Sequence, residues 1–355
     1  MHQEPEGDVV KVIAILLCAV ILFGCIGEER VPPENRTNGT EPPDGKPPVG
    51  IIIDPQKNQT VGKNETYIPP PPPEENESTL GYVYDADALL GVFFIDVGGP
   101  GLHGDAILIK KGDLDVLIDC GPVEKSGKVV DFLRSYEVDD IEVLVSTGAD
   151  PRRYGGIGLV TDNFEIEELW WGGDTLEDVD YAAYVDKASA KADIVKEVKD
   201  GSSAELNGIT FTALNPPASE ADRFFDVNND GIVLRVDDRN FSMLLTSGIQ
   251  TGAQGRLINT REELLVVDVM QAPYYGVGAG TSAIGLLLLA AEPENVIITG
   301  SSDDSAANGG SREPFEKLME QYGIEWNESY ADNGLRITSD GSEYAIQSIG
   351  TIDAE

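Results

Sequence analysis

The segment from Ser146 to Gly156 places one carboxylate and two guanidinium groups close together, ahead of a pair of glycines. It reads Ser-Thr-Gly-Ala-Asp-Pro-Arg-Arg-Tyr-Gly-Gly, and its charged members are Asp150, Arg152 and Arg153. A guanidinium group can hold phosphate or carboxylate in a bidentate fork. The apolar run before the segment predicts a buried strand, so the charged groups are expected where that strand ends. The segment therefore indicates either recognition of an anion or ion pairs within the protein.

A second segment has the oxygen spacing of a calcium-binding loop. Asp226, Asn228 and Asp230 alternate ahead of a glycine, and Asp237 stands at the twelfth position. This spacing is typical of an EF-hand-like loop, in which carboxylate and amide oxygens surround the ion. The competing interpretation is a turn that opens a strand over residues 232–236, because a strand cannot be the exit helix of an EF-hand. Calcium stays a candidate cofactor at this loop.

Histidine and cysteine are too scarce for several common kinds of site. The only histidines are His2 and His103, which excludes a histidine-rich zinc site. The cysteines are Cys18, Cys25 and Cys120, which excludes a disulfide framework. We expect His103 to be an exposed loop residue and Cys120 to be a packed free thiol.

Apolar runs with strand-like composition alternate with helical patterns from about Tyr82 onward, which predicts two stacked sheets with helices outside. No composition shift divides this region, so residues 81–355 are predicted to form one domain. The predicted strands are 92–97, 106–109, 116–118, 141–146, 209–214, 232–236, 241–246, 264–269, 296–299 and 335–339. The predicted helices are 128–136, 181–199, 282–291 and 313–322. The pair Trp170-Trp171 is expected in the core, with carbohydrate binding as the alternative.

The ends of these strands resemble those of a known family. They read FFIDVGGPGLHGDAILIKKGDLDVLIDCGP, VLVSTGADPRRYGGIG, LLTSGIQ, QAPYYGVGAGTS and GLRITSDG. Over 92–348 the series is similar to the metallo-β-lactamase-like domain of ComEC-type competence proteins. The resemblance implies an α+β fold, a four-layer αββα sandwich with the active site at one edge of its two sheets.

The same resemblance implies that the metal ligands have been replaced. Active members carry T-H-x-H-x-D-H before a glycine pair, and they bind two divalent metals that activate a water molecule. In this chain the corresponding positions are non-ligating or poor ligands, apart from one aspartate. They are Gly148, Asp150, Arg152 and Arg153 in the first motif, Gly248 for the bridging aspartate, and Tyr274 and Tyr275 for the paired histidines.

The former metal site then has two interpretations. Arg152, Arg153, Tyr274 and Tyr275 could bind an anionic or sugar-like ligand through charge, hydroxyl groups and stacking. Alternatively, the arginines pair with nearby aspartates such as Asp96 or Asp119 and fill the pocket. Both interpretations predict a domain with no catalytic residues, which requires no metal cofactor.

The N-terminal region predicts a membrane tether. Residues 1–27 contain an apolar run that ends Leu-Phe-Gly-Cys, which resembles a prokaryotic lipobox with Cys25 as the lipidated residue; an uncleaved anchor helix is the alternative. Residues 28–80 are rich in Pro, Asn and Thr and predict a disordered linker. N-glycosylation sequons begin at Asn35, Asn38, Asn58, Asn64, Asn76, Asn240 and Asn327.

The net charge limits the partners. With 63 acidic and 25 basic residues the formal charge is −38, which repels nucleic acid. Together with the lipobox and sequons it favours an archaeal cell-surface protein that binds a ligand or an envelope protein.

Two other functions remain open. The first is a hydrolase of phosphoesters or nucleic acid that holds zinc or manganese with Asp96, Asp105, Asp119 and Asp150. The second is a purely structural role in an envelope assembly, which an exposed apolar patch would indicate.

Overall fold

The computed structural model describes residues 80–99, 102–277, 281–300, 311–330 and 333–350. The predicted anchor with Cys25, residues 28–79 of the predicted linker and the five sequons before residue 80 lie outside these ranges. Within them, no helix is both long enough and apolar enough to span a membrane.

The first sheet has eight strands among the described residues, in the order β15-β14-β1-β2-β3-β4-β5-β6. Strands β3 to β6 run parallel to one another, and the remaining neighbours are antiparallel. The strands are β1 (Leu90–Ile95), β2 (Ile107–Lys111), β3 (Leu114–Ile118), β4 (Ile141–Ser146), β5 (Ile166–Trp171), β6 (Ala192–Glu197), β14 (Gly334–Ser339) and β15 (Tyr344–Ser348).

The second sheet has seven strands in the described part of the chain, in the order β13-β12-β11-β10-β9-β8-β7. Strands β10 to β13 are parallel, whereas β7 to β10 form an antiparallel meander. The strands are β7 (Ser203–Leu206), β8 (Ile209–Asn215), β9 (Val233–Asp238), β10 (Phe241–Leu245), β11 (Val269–Gln271), β12 (Asn295–Ile298) and β13 (Glu325–Glu328).

Helices connect the strands and cover the outer faces. The α-helices are α1 (Ser126–Ser135), α2 (Pro151–Tyr154), α3 (Ile157–Asn163), α4 (Val179–Ser189), α5 (Thr251–Thr260), α6 (Thr281–Ala291) and α7 (Glu313–Tyr322). Short 3₁₀ turns occupy Val123–Lys125, Glu220–Asp222, Glu262–Leu264 and Pro273–Gly276.

Three buried clusters define four layers. In β1, Val92 and Phe94 face the cluster between the two sheets, whereas Phe93 and Ile95 face the cluster under α1, α3 and α4. This alternation is the period of two that a strand buried on both faces requires. A third cluster joins the other face of the second sheet to α5, α6 and α7. The predicted αββα sandwich is confirmed.

Two predicted elements were wrong. The helix predicted over 181–199 ends at Ser189, and its second half is the edge strand β6, where Ile194 and Val195 are partly exposed. An edge strand with exposed apolar residues has no clear two-residue alternation, so the helical pattern was extended too far. The strand predicted over 264–269 is largely a loop: the 3₁₀ turn ends at Leu264, and the short strand β11 begins only at Val269.

The ends of three strands bring residues of the two sheets together at one edge. Asp119 follows β3 and Thr147 follows β4, while Ser247 follows β10. The Oγ1 of Thr147 lies 2.8 Å from the Oγ of Ser247, and this hydrogen bond joins the two sheets. The carboxyl ends of parallel strands meet at one edge of a sheet, which is where ligands bind in many open sheets.

Candidate functional site at the edge of the two sheets

Asp150 begins helix α2, and its carboxylate is fully engaged by its own segment. It accepts a hydrogen bond from the backbone nitrogen of Arg152 at 2.9 Å, as an N-cap does. The Nε and Nη2 atoms of Arg152 donate to the same carboxylate at 2.9 and 2.7 Å. Burial by itself would raise the pKa of Asp150, but Arg153 and Arg152 outweigh it and hold the pKa below its ordinary value. Asp150 is therefore an ionised cap and ion-pair partner.

Arg153 is fully buried and crosses to the loop before β2. Its Nε donates to Oδ2 of Asp105 at 3.1 Å, and its Nη2 lies 3.5 Å from Oδ2 of Asp150. Both the guanidinium and these two carboxylates are shielded from solvent. A guanidinium is always charged in proteins, so the two acids neutralise a cation at the centre of the site.

Asp105 links this cation to the second sheet. Its Oδ1 accepts hydrogen bonds from Nε2 of Gln271 at 3.0 Å and from Oγ1 of Thr299 at 2.7 Å. The Oε1 of Gln271 in turn accepts from the backbone nitrogens of Thr246 and Ser247 at 3.1 and 3.0 Å. Both oxygens of Asp105 are thus occupied by donors of the protein.

Gly248 stands where the family resemblance places the metal-bridging aspartate. A Cβ atom built on Gly248 would overlap Nη2 of Arg153 and would lie 2.7 Å from its Cζ and 2.8 Å from its Nη1. No side chain fits at position 248 while Arg153 keeps this conformation. A side chain at position 248 and the guanidinium of Arg153 would therefore compete for the same space.

Tyr274 and Tyr275 stack around the arginines. Both residues have left-handed backbone conformations, with φ of 48° and 60°, which non-glycine residues seldom adopt. The Cζ of Arg152 lies 5.2 and 4.9 Å from the ring centres of Tyr274 and Tyr275, and that of Arg153 lies 5.6 Å from Tyr275. These cation–π contacts hold the two tyrosines over the guanidinium groups.

His103 is buried, so its prediction as an exposed loop residue was wrong. Its ring stacks on Tyr275 with 5.0 Å between centroids and 10° between planes. A Cβ on Gly300 would lie 2.5 Å from its Nδ1, so the histidine fills a space that the glycine leaves. The glycine-rich sequence around it suggested a solvent-exposed turn, but the His103 ring lies against Tyr275 instead.

Asp119 lies deeper between the sheets. Its carboxylate accepts hydrogen bonds from the backbone nitrogen and the Oγ1 of Thr147 at 2.9 and 2.6 Å. Burial raises the pKa of Asp119 to about 7 against the opposing effect of Arg153. A cavity of about 10 Å³, lined in part by Asp119, Thr147, Ser247 and Gln271, is roughly the size of one water molecule.

Cys120, next in the chain, is a buried free thiol, as the sequence predicted. Burial raises its pKa well above the ordinary value, with Asp119 adding to the effect. A thiol held in its neutral form is a poor nucleophile. Cys120 is therefore a packing residue.

The residues present do not fit a dinuclear metal centre. Among the described residues, no group of three or more His, Cys, Asp or Glu side chains is arranged to hold a metal ion. Of the alternative ligands, Asp96 pairs with Lys128 at 2.8 Å, while Asp105 and Asp150 are paired with arginines. Asp96 and Asp119 were predicted as ion-pair partners that fill the pocket beside the arginines. Instead, Asp96 pairs with Lys128 and Asp119 accepts its hydrogen bonds from Thr147. The arginines pair with Asp105 and Asp150.

The calcium-like loop uses its oxygens for its own backbone. Oδ1 of Asp226 accepts from the backbone nitrogens of Asn228 and Asn229, and the carboxylate of Asp230 accepts from those of Phe224 and Asp226. Asp237 lies on β9 in a bidentate pair with Arg235. The turn interpretation accounts for these contacts.

Only two of the four candidate ligand-binding residues reach solvent. Arg153 and Tyr275 are buried, whereas the side chain of Arg152 is 21% exposed and Tyr274 is partly buried. The exposed face of the site is therefore formed by Arg152 and Tyr274. The sequence did not single out Asp105 as the partner of Arg153 or Gln271 and Thr299 as its donors, although Asp105 follows a glycine-rich turn as many site residues do.

Comparison with solved structures finds proteins of the metallo-β-lactamase fold. The metallo-β-lactamase fold protein YhfI from Bacillus subtilis is 14% identical, over 71% of this chain and 100% of its own, with a TM-score of 0.47. Zn²⁺-bound PqqB from Methylobacterium extorquens is 11% identical, over 70% and 99%, with a TM-score of 0.47. Igni18, a metallo hydrolase from the archaeon Ignicoccus hospitalis, is 13% identical, over 71% and 98%, with a TM-score of 0.45.

These likenesses concern the fold alone. No model of a known protein family matches the sequence. No curated protein matches it either.

Proposed function

We propose that this chain is a membrane-tethered surface protein whose folded part is a non-catalytic binding module built on a metallo-β-lactamase-type fold. The observation that carries the proposal is the position of Arg153. Its guanidinium fills the space above Gly248, where the resemblance puts the bridging ligand. A permanent cation in that space repels a divalent metal.

Charge balance supports the same conclusion. Arg152 and Arg153 carry two positive charges, and Asp105 and Asp150 carry two negative charges at 2.7–3.5 Å from them. Asp119 is held toward its neutral form by burial. The buried cluster is thus already neutral, so neither a metal nor a buried anion is needed to balance it.

The competing function, a hydrolase with atypical ligands, would require these carboxylates to turn away from their partners. Asp105 alone would have to release Arg153, Gln271 and Thr299. Each released donor would be left buried without its partner, at a cost of about 1–3 kcal/mol. The non-catalytic function requires no such rearrangement.

Binding at this edge would use the exposed face of Arg152 and Tyr274. The guanidinium keeps a partly exposed side against the Tyr274 ring, which suits a carboxylate, a phosphate or a sugar hydroxyl stacked on the aromatic face. A structural role in an envelope assembly would use the fold without this face. Substitution of Tyr274 by alanine separates the two, because only ligand binding depends on that ring.

The decisive experiment measures metal in the full-length protein. It is purified after growth with zinc, manganese and calcium, and its metal content is determined before and after chelation. We expect substoichiometric zinc and manganese and no hydrolysis of phosphodiesters or DNA. About one or more tightly held transition metals per chain, with activity lost on chelation and in Asp105→Asn but kept in Asp226→Asn, would establish the hydrolase instead.

A further inference from the structure

Strand β6 (Ala192–Glu197) is one edge of the first sheet. Among the described residues it pairs with β5 on one side and has no neighbouring strand on the other. None of its six residues is buried, and Ile194 and Val195, which point to opposite faces of the strand, are 38% and 44% exposed. An edge with exposed apolar residues is a template on which a strand of another chain can pair.

Charged side chains of the kind that commonly block such an edge are engaged within the chain. The Nζ of Lys196 lies 2.8 Å from the buried carboxylate of Glu168 on β5, so this cation is already matched. The Nζ of Lys199 lies 2.7 Å from the carboxylate of Glu197, whose side chain remains 49% exposed. Lys191, immediately before the strand, is exposed as well. An added strand is therefore favoured if it presents an anion to Lys191 and a cation to Glu197.

A second copy of β6 has this distribution of charge. Directly opposed residues of an antiparallel pair lie on the same face of the sheet. When a two-fold axis perpendicular to the sheet relates the two strands, opposed residues differ by an even number of positions, because side chains alternate between the faces. With Ile194 on this axis, Ile194 opposes its own copy, and Lys191 of each copy opposes Glu197 of the other. Such a pair has an apolar centre and an ion pair at each end.

The charges select this register over its competitor. Only the registers centred on Ile194 and on Val195 pair five of the six strand residues. The register centred on Val195 places Asp193 directly opposite Glu197 at both ends, and like charges in that position are destabilising. The register centred on Ile194 instead places Asp193 opposite Val195. Charge complementarity therefore identifies a second copy of this chain, paired about Ile194, as the partner.

We propose that two copies of this chain associate through their β6 strands, in an antiparallel pair with Ile194 on the two-fold axis. The first sheets of both copies then form one continuous sheet. A single pair of strands is small beside the roughly 1,200 Å² that stable interfaces bury, so the dissociation constant is on the order of 10 μM. No residue of the arginine cluster takes part, so this dimer is independent of the proposed binding function.

The net charge of the chain opposes association at low salt. Each copy carries a formal charge of −38. At about 0.15 M salt the Debye length of about 8 Å screens most repulsion between distant charges, whereas opposed Lys191 and Glu197 side chains still attract each other at contact. The dimer should therefore form at that salt concentration and dissociate at about 0.01 M, where the Debye length reaches about 30 Å.

Sedimentation equilibrium of the full-length protein tests this interface. The chain is purified in detergent, with micelles in large excess over chains, and its mass is measured from about 1 to 100 μM protein at about 0.15 M salt. The parent chain should pass from monomer to dimer over this range. Ile194→Lys opposes two like charges on the axis and should weaken the dimer about tenfold or more. Leu289→Lys, a matched change at a half-exposed position on α6, should leave it unchanged.

Charge reversal tests the register. Lys191→Glu and Glu197→Lys each place like charges opposite one another at both ends of the homodimer, so each variant alone should dimerise about tenfold more weakly than the parent. In an equimolar mixture of the two variants, every opposed pair again has opposite charges. Dimerisation of the mixture should therefore return to the parent level.

Three outcomes would overturn the proposal. A parent chain that stays monomeric at about 100 μM has no such interface. A dimer that persists unchanged in Ile194→Lys associates through another surface of the chain. A mixture of the two charge-reversed variants that dimerises no more strongly than either variant alone excludes the register centred on Ile194. Circular dichroism and the Tm of each variant establish that the domain is folded in every comparison.

Discussion

Replacing Gly248 by alanine tests directly whether the guanidinium of Arg153 fills the space beside Gly248. No left-handed φ is found at Gly248, so alanine suits the backbone there. The added Cβ nevertheless falls within 2.7 Å of the Arg153 Cζ, so the guanidinium must move by about 1 Å or more. That movement lengthens its 3.1 Å bond to Asp105 and its 3.5 Å contact with Asp150.

The expected cost follows from the loss of a buried ion pair. Breaking such a pair destabilises a protein by about 3–5 kcal/mol, because a charge is left buried without its partner. We therefore expect Gly248→Ala to lower the free energy of unfolding by about 3 kcal/mol and the Tm by on the order of 10 °C. In an Arg153→Met background the same substitution should cost less than about 1 kcal/mol, since the space is open.

The assay is urea unfolding of the four proteins of this double-mutant cycle, with the coupling energy as the readout. Gly255→Ala is the matched control, because a Cβ there meets no atom within 4 Å and the substitution should be neutral or stabilising. If Gly248→Ala costs the same with and without Arg153, to within about 0.5 kcal/mol, the guanidinium does not occupy this space and the proposed non-catalytic function loses the observation that carries it.

Three further outcomes are expected. Burial raises the pKa of Asp119 and Asp115 to about 7 and that of Glu142 to about 8, so the contribution of these carboxyl groups to stability is full below pH 4 and is lost as the pH rises to 8. We expect Glu142→Gln to flatten this decline of the free energy of unfolding, as measured by urea titrations at several pH values. An unchanged pH dependence would exclude Glu142 as a source of the decline. Among the described residues the buried Tyr275 hydroxyl has no hydrogen-bond partner, so Tyr275→Phe should leave the Tm unchanged or raised. Tyr275→Ala should lower the free energy of unfolding by about 3–5 kcal/mol, because it leaves a cavity. A destabilised phenylalanine variant would reveal a partner for the hydroxyl. Asp226→Ala should lower the free energy of unfolding by about 1–2 kcal/mol, because it removes the acceptor of two backbone nitrogens. Calcium should not change the Tm of the parent protein or of the variant. A calcium-dependent rise in Tm seen only with Asp226 present would show that the loop binds calcium.

Much of the architecture could be predicted from the sequence, because strands that are buried on both faces appear in it as continuous apolar runs. Strand β4 and helix α7 were predicted with their observed bounds. Strand β5 was missed because it carries Glu167 and Glu168 among apolar residues, and Glu168 is buried only because Lys196 and Trp170 bond to it. Local patterns could not show that pairing.

The sequence by itself determined what the site cannot contain: two histidines in the chain cannot form a histidine-rich metal centre, and glycines at 148 and 248 offer no side-chain ligand. Only the tertiary structure decided what replaces them. Arg153 meets Asp105, 48 residues away, and Asp105 meets Gln271, 166 residues away, across two different sheets. The stacking of the two sheets determines which of these residues meet. Their separation along the chain does not indicate their distance in space. The burial of His103 on Tyr275 was decided in the same way, because a loop takes its place from the surfaces it packs against.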